Sequence, residues 1–248
     1  RIKYSHVMEQ PPIYLLGIKI QEPVTTFTDL IVSAVCFYAF YRMQKHNQRE
    51  KVFIYLKYYF LTMGIATTFG GLAGHGFLYL LSFPWKLPGW ITSMFSIMLL
   101  ERASIEHVRP LISKRVANTF RVVNTIELLT FMTITFITLD FKYVEIHSGY
   151  GLMVVVLPLQ LYIFLKTKNN GSNFFLRGVF FAAVSAMIYM NELGLHAYFN
   201  HYDISHIFMA IAAYYFYLGA RKLEIIDLQR ITVKTIREAL SLNSQYKK

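Results

Sequence analysis

Seven apolar stretches, separated by short and mostly basic connections, occupy most of this sequence. An apolar stretch of about 20 residues is long enough for a helix to cross the hydrocarbon core of a bilayer. Because lipid offers the backbone no hydrogen-bond partners, each crossing must be a helix. We therefore predict an all-α, polytopic membrane protein built as a seven-transmembrane helix bundle. The predicted spans cover residues 25–41, 53–78, 89–101, 122–139, 149–165, 178–195 and 203–218.

The chain divides into three parts around these spans. Residues 1–24 form an N-terminal approach segment, interrupted by three prolines, that we expect to be irregular or to lie on the surface. Residues 25–220 form the membrane domain. Residues 221–248 alternate apolar residues with Lys and Arg, which predicts a cytoplasmic amphipathic helix on an anionic membrane surface.

The distribution of Lys and Arg predicts the orientation of the bundle. The connections 42–51, 102–121 and 166–177 and the tail are rich in both residues, whereas the opposite connections hold only Lys19, Lys86 and Lys142 besides Arg1 and Lys3. Basic loops stay in the cytoplasm, so the N-terminus is expected outside and the C-terminus inside.

The net charge of +11 is therefore explained by orientation and contact with anionic lipid rather than by nucleic acid. The expected partners are membrane lipids, one of which could be the substrate. The expected location is a plasma membrane or a bacterial inner membrane, and the oligomeric state is left open.

Histidines gather at one level of the predicted bundle. His75 lies near the outer end of span two, and His196, His201 and His206 lie near the outer junction of spans six and seven. Imidazole is the commonest protein ligand of zinc and related metals. Catalytic zinc takes three protein ligands and one water. We predict a zinc site formed by His75, His201 and His206, and the separation of five residues between the last two requires His201 to precede the helix.

Three carboxylates are candidates for acid–base catalysis. Asp203 is placed to cap the last helix, to hold a ligand imidazole or to act on a bound water. Asp29 lies inside span one, and Glu192 would share a face of span six with His196. The alternative is that these carboxylates are structural partners of buried polar groups. Glu101 is interpreted as a solvent-facing charge at the end of span three.

Two segments resemble the superfamily of seven-span hydrolases that includes alkaline ceramidases and the progestin and adipoQ receptors. They are residues 71–75, Gly-Leu-Ala-Gly-His, and residues 200–208, Asn-His-Tyr-Asp-Ile-Ser-His-Ile-Phe. The resemblance implies zinc bound by a span-two histidine and a span-seven pair, and hydrolysis of a lipid amide. The chain departs from the superfamily in the spacing of that pair, in having Gly71 where a serine is usual, and in lacking a span-three aspartate.

The expected function is zinc-dependent hydrolysis of a lipid amide or ester near the outer face. Two alternatives remain open. One is a receptor-like or scaffolding membrane protein with a structural metal site. The other is a carrier that uses the membrane-embedded carboxylates Asp29, Glu127 and Glu192.

Overall fold

A computed structural model describes residues 10–45 and 49–226, and most of these residues lie in helices. The described helices form seven rods that follow one another along the chain. Their bounds are α1 Pro23–Gln44, α2 Lys51–Phe69 with a π-helical extension Gly70–Gly76, α3 Leu87–Val108, α4 Lys114–Thr138, α5 Lys142–Tyr150 with a π-helical continuation Gly151–Val156 into α6 Leu157–Thr167, α7 Asn170–Met190 and α8 His201–Lys222.

Five of the rods in the described ranges are long and apolar enough to cross a membrane. They are Pro23–Gln44, Lys51–Gly76, Lys114–Thr138, Lys142–Thr167 and Asn170–Met190. In a helix of this kind the backbone N–H and C=O groups are satisfied by hydrogen bonds within the helix, and apolar side chains face the lipid. The prediction of a helical, multi-pass membrane protein is confirmed at this level.

Several predicted loops are helical. The basic connection 102–121 is short, because α3 continues to Val108 and α4 starts at Lys114 after a single 3₁₀ turn. Pro110 lies in the first turn of that 3₁₀ helix, where its missing N–H needs no partner. The Ser113 side chain caps α4 by accepting from the Val116 N–H. A basic segment at the end of a helix therefore cannot be distinguished from a basic loop by its charge alone.

The approach segment contains a short β-hairpin, where an irregular or surface-lying chain was expected. Ile13–Leu15 pairs with Ile18–Ile20 in antiparallel register. The turn between them has positive φ at Leu16 and Gly17, as a tight hairpin turn requires. The Gln21 N–H donates to the carbonyl of Gly76 at 2.9 Å, so the start of α1 is tied to the end of the first π-helical segment. The predicted tail helix beyond Ile226 lies outside the described residues.

The rods pack as a ring with α4 on its flank. α1 contacts α2 and α8, α2 contacts α3, α3 contacts α6, and α7 joins α6 to α8. α4 packs on α3 and α5. Within the ring, the main apolar cluster joins residues of α1, α2, α3, α7 and α8, including Val32, Phe60, Leu100, Phe175 and Tyr217.

Close helix contact depends on small residues, as is usual in membrane bundles. A Cβ on Gly178 would lie 2.5 Å from the Phe216 ring, and one on Gly171 would lie 2.5 Å from the Leu223 backbone. These contacts fix α7 against α8. Because α8 also packs on α1, these contacts position the end of α7 and the start of α8 relative to α1.

Candidate metal centres

One cluster, called the outer cluster after the side on which the sequence analysis expected it, contains His75, His206 and Asp29 and forms where the π-helical extension of α2 meets the start of α1. Gly70 and Gly71 face Asp29 of α1, and a Cβ on Gly71 would lie 3.0 Å from the Asp29 Cβ. A side chain at this position would push the two helices apart. π-helical segments are frequent at functional sites because they widen the helix and redirect its side chains. Here the widened segment carries His75 near its end.

The start of α8 is fixed by a capping box. Asn200 is the N-cap, and its side chain accepts from the Tyr202 N–H at 2.9 Å. The Asp203 carboxylate accepts from the Asn200 N–H at 2.8 Å. Asp203 was expected to cap this helix itself; it acts instead as the third helical residue of the box, and Asn200 caps.

Asp203 also ties α8 to the N-terminal region. Its Oδ1 accepts from the Thr25 hydroxyl at 2.8 Å, and its Oδ2 accepts from the Gln10 amide at 3.1 Å. The residue is fully buried. With three donors on its two oxygens, this carboxylate is engaged in holding α8, α1 and the approach segment together.

His75 and His206 each have one ring nitrogen anchored. The Nδ1 atom of His75 lies 2.7 Å from the Glu22 carboxylate, which accepts a hydrogen bond from the Nδ1–H group. The Nδ1 atom of His206 lies 3.1 Å from the Thr28 hydroxyl. That hydroxyl has one hydrogen, which it donates to the Thr25 carbonyl, so it accepts from Nδ1. In the neutral form of each ring the proton then lies on Nδ1 and the Nε2 lone pair is free, the arrangement in which an imidazole binds a metal while its other nitrogen is held.

The Nε2 atom of His206 faces Asp29. The distance to Asp29 Oδ1 is 3.5 Å, too long for a good hydrogen bond. Two ligands of one tetrahedral zinc, each about 2.0–2.1 Å from the metal, lie about 3.4 Å apart. The spacing of this nitrogen and this oxygen is therefore that of two zinc ligands.

His75 lies beside this pair, slightly too far to share a metal without adjustment. The ring centroids of His75 and His206 are 6.2 Å apart, whereas two imidazoles on one tetrahedral zinc have centroids roughly 5 Å apart. A movement of about 1 Å brings them to that distance. The donor set of two imidazoles and a carboxylate fits zinc in its chemistry, since nitrogen and carboxylate oxygen are both zinc ligands.

His201 does not join this group. α8 begins at His201, so His201 and His206 are both helical and point roughly 140° apart. The His201 ring packs against Tyr189 and Tyr202, with centroids 5.8 Å and 4.2 Å away. Within the described ranges, neither the set of His75, His201 and His206 nor the set of His75, His206 and Asp29 brings all of its ligand atoms within 4.8 Å of one another.

Glu192 and His196 lie in the connection between α7 and α8, not on a shared helical face. α7 ends at Met190, and Glu192 has a positive φ of 52° in the turn that follows. His196 forms an isolated bridge with Phe199. Both side chains are exposed. The prediction that span six continues to residue 195 is wrong, because α7 ends at Met190, five residues earlier, and the left-handed turn at Glu192 follows it.

One basic residue borders the outer cluster. Lys86 lies in the short 3₁₀ helix Phe83–Lys86 that precedes α3. Burial lowers the pKa of the Lys86 ammonium, and the Glu22 carboxylate opposes this shift. The Glu22 carboxylate thus interacts with both His75 and Lys86.

An inner cluster lies between α3, α4 and α5, and it was missed by the sequence reasoning. It contains Glu101, Asn124, Glu127 and His147. Glu101 and His147 are fully buried, so the interpretation of Glu101 as solvent-facing is wrong. His107 and His147 fall between the predicted spans but are helical, in α3 and α5.

The ligand atoms of the inner cluster are close together. In the described part of the chain, one ligand atom each from Glu101, Glu127 and His147 lies within 4.8 Å of the others. A helical-hairpin rule would have found part of this cluster. Glu101 and Asn124 lie eleven and twelve residues from Ile112, at the turn between antiparallel α3 and α4, and residues equally far from such a turn meet at the same level.

Comparison with known proteins places the chain in a family but gives no activity. Residues 24–225 match a family of unknown function, DUF6962, so the chain belongs to that family. The match spans the seven rods and both clusters. Neither the curated proteins nor the solved structures contain a match to the chain.

Proposed function

We propose that this protein is a zinc-dependent membrane hydrolase that cleaves an amide or ester bond of a lipid at the outer cluster. The observation that carries the proposal is the pair of anchored histidines, His75 and His206, whose rings lie 6.2 Å apart, with His206 Nε2 3.5 Å from the Asp29 carboxylate. The resemblance of residues 71–75 and 200–208 to the alkaline ceramidase and adipoQ receptor superfamily supports the same chemistry.

The proposal assigns three ligands. His75 and His206 bind through Nε2, and Asp29 takes the third position that was predicted for His201, since His201 packs on Tyr189 instead. When bound, zinc polarises the substrate carbonyl and lowers the pKa of its water to about 7. Glu22 and Thr28 hold the ligand imidazoles in the required tautomer and orientation.

The proposal includes seven crossings with the N-terminus outside and the C-terminus in the cytoplasm. It adds α3 and α8 to the five apolar rods, since both have 22 residues, or about 33 Å. The orientation follows from the basic connections. A plasma membrane or a bacterial inner membrane is the proposed location, with membrane lipids as partners and one lipid as substrate.

Site-directed labelling tests this topology. In a Cys36→Ala background, Ser82→Cys lies between α2 and α3, and Ser113→Cys lies between α3 and α4. A membrane-impermeant maleimide should label the first in intact cells and the second only after permeabilisation. The reverse result overturns the orientation, and equal labelling of both shows that α3 does not cross.

Metal content and turnover test the site. Purified wild type should hold zinc and release a fatty acid from a lipid amide or ester. His206→Ala and Asp29→Asn should each lose the outer-site zinc and the activity, whereas the matched control His201→Ala should keep zinc. Full activity in His75→Ala and His206→Ala would refute the proposal. Loss of zinc in His201→Ala with retention in Asp29→Asn would restore the three-histidine set.

The alternatives differ in measurable ways. A receptor-like or scaffolding protein with a structural metal would lose zinc in the same variants but hydrolyse none of the lipid amides and esters. A carrier is favoured by one observation, the buried carboxylates Glu101 and Glu127. It would show uptake in vesicles that depends on these glutamates and not on His206.

A further inference from the structure

The inner cluster has the features of a metal site separate from the outer one. We propose that Glu101, Glu127 and His147 bind a divalent transition-metal cation between α3, α4 and α5. One ligand atom from each residue lies within 4.8 Å of the other two. The side chains are enclosed, with Glu127 and His147 exposed by only 9% and 0%.

The histidine is oriented as a ligand. Its Nε2 atom lies 2.9 Å from the Met94 carbonyl, which can only accept, so Nε2 carries the proton. Its Nδ1 atom lies 2.7 Å from Glu127 Oε1, a hydrogen-bond distance, and the proposed cation would replace the proton between these two atoms. A ring nitrogen fixed on a backbone carbonyl is the usual support of a metal-bound histidine.

Three oxygens at the cluster have no hydrogen-bond donor. Asn124 donates to Glu101 Oε2 at 2.9 Å. In the described part of the chain, Glu101 Oε1, Glu127 Oε2 and Asn124 Oδ1 are buried without a hydrogen-bond partner. Buried acceptors are normally satisfied, and each unsatisfied one is costly. Oxygen atoms with free lone pairs, together with one imidazole nitrogen, are ligands that suit zinc, manganese or iron in the divalent state.

Charge points to a divalent ion. When both carboxylates are ionised they place two negative charges among apolar helices, and a charge in the membrane interior is costly unless it is paired. One imidazolium would neutralise one of them. A divalent cation neutralises both while His147 stays neutral, which leaves the cluster with no net charge.

The backbone makes room for Glu101. The π-helical segment begins at Gly151, where a Cβ would lie 2.5 Å from Glu101 Oε1. A side chain at residue 151 would occupy the space next to the unpaired oxygen. The widened helix and the missing Cβ both lie where the carboxylate needs space, as expected of a local distortion associated with a site.

Metal analysis in a background without the outer site tests the proposal. Detergent-purified His206→Ala should bind about one Co²⁺ or Zn²⁺ per chain, with a Co²⁺ absorption band in the visible. Glu101→Gln and His147→Gln in that background should abolish the bound metal and the band. The control Glu106→Gln, in the same helix but paired with Arg109, should keep both.

Each result decides the question. No metal in the folded His206→Ala protein, or unchanged metal in Glu101→Gln and His147→Gln, would overturn the proposal. If a variant fails to fold, chelation of His206→Ala provides the second measurement. Removal and return of Zn²⁺ should lower and restore its melting temperature, and no change counts against the site. If only the outer site fails to bind metal, the wild-type protein should still hold metal, and Glu101→Gln or His147→Gln should remove all of it.

Discussion

Gly151→Ala is the most direct test of the packing at the inner cluster. An added Cβ would lie 2.5 Å from both Glu101 Oε1 and Ile97 Cγ2, about 1 Å closer than ordinary van der Waals contact. Both neighbours are buried, at 0% and 5% exposure, so neither can move into open space. Overpacking of this kind costs about 1–3 kcal/mol.

Gly149→Ala provides a matched control. Gly149 lies two residues earlier in the same rod, and a Cβ there would meet no atom within 4 Å. Both substitutions gain the same helix propensity, up to about 1 kcal/mol. This gain cancels when the two variants are compared, so their difference isolates the steric cost. We expect Gly151→Ala to be about 1–3 kcal/mol less stable than Gly149→Ala.

The free energy of unfolding can be measured by denaturant titration in mixed micelles, with metal content determined on the same samples. Gly151→Ala should also bind the inner metal more weakly, because Glu101 must move. Equal stability of the two variants, within about 0.5 kcal/mol, would show that the packing around Glu101 is not as described.

Two further pairs of variants test the outer cluster. Gly71→Ala should reduce zinc content because its Cβ would lie 3.0 Å from the Asp29 Cβ, whereas Gly74→Ala, with no atom within 4 Å, should keep zinc; metal analysis distinguishes them. Asn200→Ala removes a helix cap and should lower the free energy of unfolding by about 1 kcal/mol. Asp203→Ala should lower it by more, because loss of the Asp203 carboxylate leaves three donors unpaired. An equal loss in the melting temperatures would contradict this role.

Much of the fold could be predicted because membrane helices are dictated by apolar length. The five rods that are long and apolar enough to cross a membrane fall on predicted spans. The boundaries could not be predicted to the same degree, because charge marks helix ends and loops alike. Residues 102–108 and 142–147 were expected in connections and are helical.

The metal site itself stays a prediction, but the positions of its residues can be compared with what was expected. The rings of His75 and His206 lie 6.2 Å apart, and His206 faces Asp29. His201 does not join them, because the capping box at Asn200 makes it helical. That outcome depends on a hydrogen bond between a side chain and the backbone, which spacing alone cannot reveal. The exposure of Glu101 was predicted wrongly because it lies beside a basic segment in the sequence. The sequence does not show that α4 packs over it.

The two π-helical segments share one relationship to the buried carboxylates. Each begins with glycine, and each glycine faces a carboxylate from a neighbouring helix, Gly70 towards Asp29 and Gly151 towards Glu101. A π-helical turn gives up regular α-helical hydrogen bonding, so it is rare without compensation. A membrane carboxylate is likewise costly without partners. Because the two costly features coincide in both rods, each helix distortion is explained by the space that the neighbouring carboxylate needs, as the two proposed sites require.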